Sequence, residues 1–258
     1  MGARELADGV RLAVTTLTVL PLPGEAPARV DRDRATVAMS IAPAVGLGLG
    51  IVAAGVGVAA VAVGAGLTVA AVLTVATAAA LSRGLHLDGL ADTADGLGSY
   101  ADRDTALAIM RRPDIGPFGV VALVLVLLGQ VAGAAEILTR PWWSAGIGVA
   151  VAVATGRLAI TWACRRGVPA ARSEGLGALV ASTVGPVALV AGTVAVAGLA
   201  VAAVPGRPWQ GPLAVLASLV GAGGLVRHAV RRVGGVTGDI LGAAAEVAAT
   251  IAYIALSI

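Results

Sequence analysis

The sequence contains no lysine: all 18 of its basic residues are arginine. Chemistry through a lysine Schiff base is thereby excluded. A single cysteine, Cys164, allows neither an internal disulfide nor a cysteine cage for zinc. With only His86 and His228, a histidine-rich metal centre is excluded too. Aromatic residues make up 3% of the chain and charged residues 13%, whereas soluble domains carry about 25% charged residues. What fills the 258 residues is Ala, Val, Leu and 36 glycines, 58% hydrophobic in all, with a mean hydropathy of +0.92. A water-soluble fold would leave most of that apolar surface uncovered. Composition therefore excludes a soluble globular enzyme, a disordered chain and a coiled coil. It predicts an all-α, polytopic membrane bundle forming one membrane-embedded domain over 1–258. The arginines are spread through loops rather than packed into one run, so no nucleic-acid partner is expected.

A spanning helix needs about 20 mostly apolar residues. Seven segments qualify, at roughly 36–62, 67–82, 117–138, 144–164, 184–204, 212–230 and 238–258. Residues 3–20 read as an interfacial helix, because Arg4, Glu5, Asp8 and Arg11 crowd its start and Pro21 and Pro23 end it. A cleaved signal peptide is disfavoured by the acids among the first ten residues. Glycines such as Gly46, Gly48, Gly50, Gly55 and Gly57 suit close helix approach. Seven spans put the N-terminus and the loops 83–116, 165–183 and 231–237 on one side. That side holds 15 of the 18 arginines; Arg140 and Arg207 fall on the other, and Arg157 lies within a span. By the positive-inside rule the arginine-rich side is cytoplasmic. Most of the acids lie there as well, which places the polar chemistry on one face of a multi-pass inner-membrane protein.

The densest chemistry is Arg83-Gly-Leu-His86-Leu-Asp88-Gly-Leu-Ala-Asp92-Thr-Ala-Asp95-Gly-Leu97. Asp88, Asp92 and Asp95 stand at i, i+4 and i+7. On a helix they fall within about 60° of one another along roughly 10 Å of axis. Three like charges on one stripe repel and are costly beside a membrane. An oxygen-liganded divalent cation, Mg²⁺ or Mn²⁺, is the simplest compensation. A solvated acidic loop would explain three acids but not their single-face spacing. Gly89 and Gly96 would let a phosphate approach the backbone, and Arg83 is a candidate for substrate phosphate. His86 is open to three readings: ligand, substrate donor or base. Asp92 to Gly96 also matches the opening Asp-x2-Asp-Gly of the CDP-alcohol phosphotransferases. The match then fails, with Ser99-Tyr100, Ile109, Pro113 and Pro117 at the positions that should carry Ala-Arg, Gly, Asp and Asp.

Further on, Asp102 or Asp104 can cap a short helix that Pro113 ends, with Arg111 and Arg112 in its last turn. Arg111, Arg112 and Asp114 are candidate substrate contacts, since planar guanidinium suits phosphate. The run Gly234-Gly235-Val-Thr237-Gly238-Asp239 opens the last span. Thr237 can cap it, and the glycine amides with the helix N-terminus would hold phosphate. Asp239 is a candidate fourth metal ligand or proton acceptor, and it shares a face with Gly242 and Glu246. Glu246 and Arg157 are charges inside spans, which suits substrate binding or mutual pairing. His228 beside Arg227 reads as an interface residue.

The His86–Leu97 run, Ile109–Gly119 with its Met-Arg…Asp-Ile-Gly pattern, Gly156-Arg157, Gly234–Ala243 and the N-terminal Leu17-Thr-Val-Leu-Pro-Leu-Pro occur in this order. Together they resemble the adenosylcobinamide-GDP ribazoletransferases, the cobalamin (5′-phosphate) synthases of bacteria, over nearly the whole chain. Arg112-Pro113 departs from the Asp-Ser expected there. The resemblance implies a Mg²⁺-dependent transferase that joins adenosylcobinamide-GDP to α-ribazole or its 5′-phosphate and releases GMP. The residue-level reading fits that reaction: Asp88, Asp92 and Asp95 would hold the ion, Asp239 would complete its shell or take the hydroxyl proton, and Asp92, Asp95, Asp239 and His86 are the candidate catalytic groups. The partners it implies are those small molecules and the lipid bilayer, with homo-oligomerisation left open. Two rivals remain. A transporter built on Arg157 and Glu246 would place its polar groups near the midplane, often in repeated halves. A lipid phosphotransferase is disfavoured by the broken motif.

Overall fold

The computed structural model describes residues 3–22 and 31–258; Pro23 and Arg29 lie outside the described residues. Eleven helices follow one another and no strand is found among the described residues. The N-terminal helix α1 (Ala3–Leu17) packs against α2 (Arg32–Ala62), burying Ala13 and Leu17. Asp31 starts α2 by accepting from the Arg34 amide at 2.9 Å, as an N-cap side chain does. Then come α3 (Leu67–Leu81), α4 (Leu85–Gly98), the short α5 (Arg103–Ile109) and α6 (Pro117–Ile137). The chain continues through α7 (Trp142–Ala163), the single turn α8 (Leu176–Val180), α9 (Pro186–Ala200), α10 (Gln210–Val233) and α11 (Gly238–Ser257).

Five helices, α2, α6, α7, α10 and α11, are long and apolar enough to cross a membrane, and a sixth span results if the bent pair α3 and α4 is counted as one. The sequence predicts seven. The two that fall short are α3 and α9, each of 15 residues. At 1.5 Å per residue they reach about 22 Å, less than the roughly 30 Å of a bilayer core. Expected span 67–82 ends at Ser82 because the chain turns by 88° into α4. Arg83 and Gly84 make that turn in the left-handed region, at φ 56° and 65°. Expected span 184–204 gives up its ends to a bridge between Val184 and Arg165 and to turns after Ala200. Each short helix is tied to the bundle at its C-terminal end. The Val19 amide donates to Leu81 O of α3, and the Ser144 hydroxyl donates to Ala203 O just past α9.

Helix α7 is buried along most of its length, enclosed by α2, α9, α10 and α11. Its Ala, Gly and Val side chains are small enough to allow this. A Cβ on Gly50 would lie 2.7 Å from the Ala150 Cα, and one on Gly156 would lie 2.8 Å from Ala245 O. Gly46 and Gly57 are packed in the same way, but Gly48 and Gly55 face open space and take no part in helix approach. On the outside, α6 exposes Val121, Val124, Leu125 and Leu128, an apolar face suited to lipid.

The polar residues divide between the ends as their positions in the sequence imply. At one end the inter-helix segments are tied together. The Arg32 guanidinium donates to Ala178 O and Ala181 O, Arg103 to Val233 O and Ala171 O, and Arg232 to Ala101 O. At the other end Arg140 donates to Ala203 O and Leu256 O, and Arg207 to Ile258 O. The first end carries the candidate chemistry.

Candidate active site

Helix α4 lies against α11 with almost no side chain between them. A Cβ on Gly89 would meet Asp239 O at 2.7 Å, and one on Gly242 would meet the His86 Cα at 3.1 Å. These glycines serve helix packing; Gly89 does not offer its backbone to a phosphate. Gly96 is likewise covered, by Met110. The crossing brings Asp88 and Asp92 on α4 near Asp239 in the first turn of α11. Replacing Gly89 with alanine is expected to cost about 1–3 kcal/mol, because the atom it strikes is backbone and cannot swing aside. It should also lower turnover by separating the two helices. Thermal unfolding and product release, measured on one preparation, check both effects.

Asp92 is the electrostatic focus. Partial burial, reinforced by repulsion from Asp88, Asp239 and Asp95, raises its pKa to about 6, with Arg172 opposing. Asp88 and Asp239 line one cavity of about 230 Å³ together with His86, Gly238 and Gly242. Asp239 accepts from the Thr237 hydroxyl at 3.1 Å and faces an Arg172 nitrogen at 3.8 Å. Thr237 caps α11 as expected, its Oγ1 accepting from the Ile240 amide.

Asp95 departs from the expected ligand set. Its carboxylate accepts from the Gly116 amide at 2.7 Å and the Gly119 amide at 2.9 Å. It therefore closes the N-terminus of α6, where backbone amides and the helix dipole favour an anion. Gly116 and Gly119 leave the space that the carboxylate fills. Asp95→Ala should destabilise the protein by about 1–2 kcal/mol in thermal unfolding, as lost caps do. Turnover of the folded fraction should fall less than tenfold.

Among the described residues, no three His, Cys, Asp or Glu side chains stand close enough to enclose a metal ion. The four-carboxylate cage expected from the sequence is thus not formed. The chemistry of the donor set still fits Mg²⁺. Such sites commonly use one or two carboxylates and leave the remaining positions to water and substrate phosphate. Asp88 and Asp239 on one cavity supply that number.

Of the remaining predicted residues, His86 and Gly238 stay with that cavity and the others separate from it. His86 is 2% exposed and its Nδ1 lies 3.4 Å from an Arg157 nitrogen. Since guanidinium only donates, Nδ1 accepts and the ring proton sits on Nε2. Arg157 and Glu246 lie inside the bundle, lining a cavity of about 20 Å³ with Gln130 and Tyr253. They do not line the cavity that holds Asp88 and Asp239. Gly234 caps α10 at φ 85°, and Gly235 is pressed against the backbone of 169–171. Both therefore have structural work, and the Val236 amide donates to Pro169 O rather than to a ligand. Arg83 is exposed, with one long contact to Thr15 O at 3.4 Å. Arg111, Arg112 and Asp114 are exposed. Asp102 caps α5, which ends at Ile109, so the two arginines lie past its last turn. Arg172 was missed in the sequence. It sits in a loop without periodicity, and only the fold brings it to Asp239.

A helical membrane bundle with carboxylates and arginines gathered at one end defines the class: a polytopic membrane protein with its polar residues concentrated at one end. Within that class the chain belongs to the cobalamin-5-phosphate synthase family, whose sequence model matches residues 9–257. It is 43% identical over 244 residues to an adenosylcobinamide-GDP ribazoletransferase of Nocardioides sp., covering 94% of this chain and 95% of the relative. It is 42% identical over 200 residues to the Frankia casuarinae protein of that name, covering 73% and 71%. A Bradyrhizobium diazoefficiens protein of the same name is 39% identical over 183 residues, covering 68% and 65%. No solved structure matches the chain.

Proposed function

We propose that this protein joins adenosylcobinamide-GDP to α-ribazole or α-ribazole 5′-phosphate, giving adenosylcobalamin or its 5′-phosphate and GMP. The relatives' shared name supports the reaction. The observation that carries the mechanism is the meeting of Asp88, Asp92 and Asp239 where α4 crosses α11 at Gly89 and Gly242.

A ribose hydroxyl of the acceptor attacks the cobinamide-side phosphorus. The bond from that phosphorus to the bridging oxygen breaks, and GMP leaves. Transfer of this kind needs positioning and charge neutralisation rather than a covalent nucleophile. Asp88 and Asp239 would hold Mg²⁺, which when bound neutralises charge on the diphosphate. Asp92 on α4, beside those two carboxylates, takes the hydroxyl proton as the general base. His86 presents its Nε2 proton as a donor. Arg172 stands beside Asp239 and steers phosphate towards it. The arginine-rich end is the cytoplasmic one by charge bias, so substrates arrive from the cytoplasm at the inner membrane.

The test is GMP release from adenosylcobinamide-GDP by the purified protein in detergent, with and without Mg²⁺. Release that depends on both the acceptor and the ion is expected. A preparation that folds yet releases no GMP under any condition would overturn the reading. Transport of an intact solute by liposomes holding the protein would favour the carrier alternative. Against that rival, Arg157 and Glu246 share only a small internal cavity of about 20 Å³.

A further inference from the structure

Beside the carboxylates lies a groove of about 680 Å³ between α5 and the 171–173 loop, lined by Arg103, Asp104, Arg111 and Arg172. The three arginines are not equivalent. Arg103 is fully engaged. It donates from Nε to Val233 O at 3.0 Å and from Nη2 to Ala171 O at 2.6 Å, and it pairs through Nη1 with Asp104. It forms the wall and neutralises the groove's acid. Arg172 is anchored at one nitrogen only, where Nη2 donates to Leu107 O at 2.6 Å. Its Nη1 points to Asp239 at 3.8 Å, beyond hydrogen-bond range. Among the described residues nothing bonds or pairs with the Arg111 guanidinium. Yet it is near enough that its charge, after burial, disfavours the charge on Arg172.

The two like charges share one nearby acid, Asp239, which no guanidinium nitrogen hydrogen-bonds, so both keep donors to spare. A phosphate monoester can take those donors, because its oxygens match the fork of a guanidinium. The groove falls in the size range of small-ligand sites. Arg172 on its wall reaches to 3.8 Å from Asp239, which lines the neighbouring cavity with Asp88. We propose that this groove binds the nucleoside monophosphate half of the diphosphate substrate, with Arg111 and Arg172 on its phosphate. The inference rests on the proposed reaction for the identity of the nucleotide. The groove itself is read from the arginines. The acceptor's 5′-phosphate is the other phosphate monoester available, and the two are separable by binding.

The experiment measures equilibrium binding of GMP, guanosine and α-ribazole 5′-phosphate to the full-length protein in detergent. Wild type is compared with Arg111→Gln and Arg172→Gln. GMP should bind, guanosine at least tenfold more weakly. Each variant should weaken GMP at least tenfold while leaving α-ribazole 5′-phosphate within about twofold. Arg111 is exposed and its guanidinium unbonded, so its variant folds even if loss of the Arg172 anchor loosens α5. GMP affinity unchanged in Arg111→Gln would overturn the proposal. So would selective loss of α-ribazole 5′-phosphate, which would give the groove to the acceptor. Should wild type bind GMP through these arginines but release none from adenosylcobinamide-GDP, the reaction fails and the groove stands.

Discussion

Asp88→Asn and Asp92→Asn are each expected to reduce GMP release by at least about 10²-fold, the scale on which enzymes lose a preorganised charge at the reacting centre. Asparagine keeps the shape of aspartate, so packing at the α4 and α11 crossing is undisturbed. What changes is charge alone. Asp92 lies among Asp88, Asp239 and Asp95, which repel it. Removing its charge relieves that repulsion, so Asp92→Asn should unfold at the same temperature as wild type or a few degrees higher. An inactive yet undiminished variant marks a residue kept for chemistry at the expense of stability. Asp95→Asn should behave in the opposite sense, because its carboxylate is engaged by two amides of α6. It should lose stability first and activity second. GMP release and melting temperature on the three variants decide the matter. Normal release by Asp92→Asn would remove the carboxylate mechanism.

The second large effect concerns the bundle interior. Arg157 and Glu246 are 3% and 7% exposed, on α7 and α11. Glu246 accepts from Gln130 at 2.7 Å, and the same Gln130 nitrogen reaches the Thr250 hydroxyl at 3.2 Å. Arg157 Nε and the Tyr253 hydroxyl have no protein partner and border the small cavity between them. A space of about 20 Å³ holds one water, given polar groups to bind it. Arg157 and Glu246 make no direct ion pair, but Arg157→Met removes the charge that offsets Glu246 across that space, and stranding a buried charge costs about 3–5 kcal/mol. At roughly 2–4 °C per kcal/mol for chains of this size, the melting temperature should drop by about 10 °C. The double variant Arg157→Met with Glu246→Leu should recover most of that loss, since neither charge is then stranded. Equal destabilisation of the single and double variants would show that the two charges do not depend on each other.

Much of this was legible in the sequence, because the membrane imposes a strict demand. Long apolar runs must be helices, and arginines must collect at one end. The sites of α2, α6, α7, α10 and α11 follow from that. The lengths of α3 and α9 do not. Arg83, a non-glycine residue at positive φ, gives no local sign of the 88° turn that cuts α3 short. The acidic stripe was equally plain, but its use was not. Helical spacing places Asp88, Asp92 and Asp95 on one face without saying which neighbour each meets. Only the packing of α6 under α4 shows that Asp95 belongs to a helix start. Gly89 and Gly242 look alike in sequence to the open glycines Gly48 and Gly55. Arg172 was invisible for the reason that loops generally are: its position depends on Pro169 and Ala171 pairing with Val236 from a distant part of the chain.

The two ends of the bundle differ in kind, and this has a practical bearing. On the proposed reaction a bulky corrinoid has no need to pass between the helices, because Asp88, Asp92 and Asp239 stand at one end of the bundle rather than inside it. The bundle acts as a pedestal, and the turns at its foot, around 64–66 and 201–209, carry none of the proposed chemistry. A reporter or affinity handle grafted there would leave turnover intact. The same graft near 100–102 or 171–173 would jam the entrance.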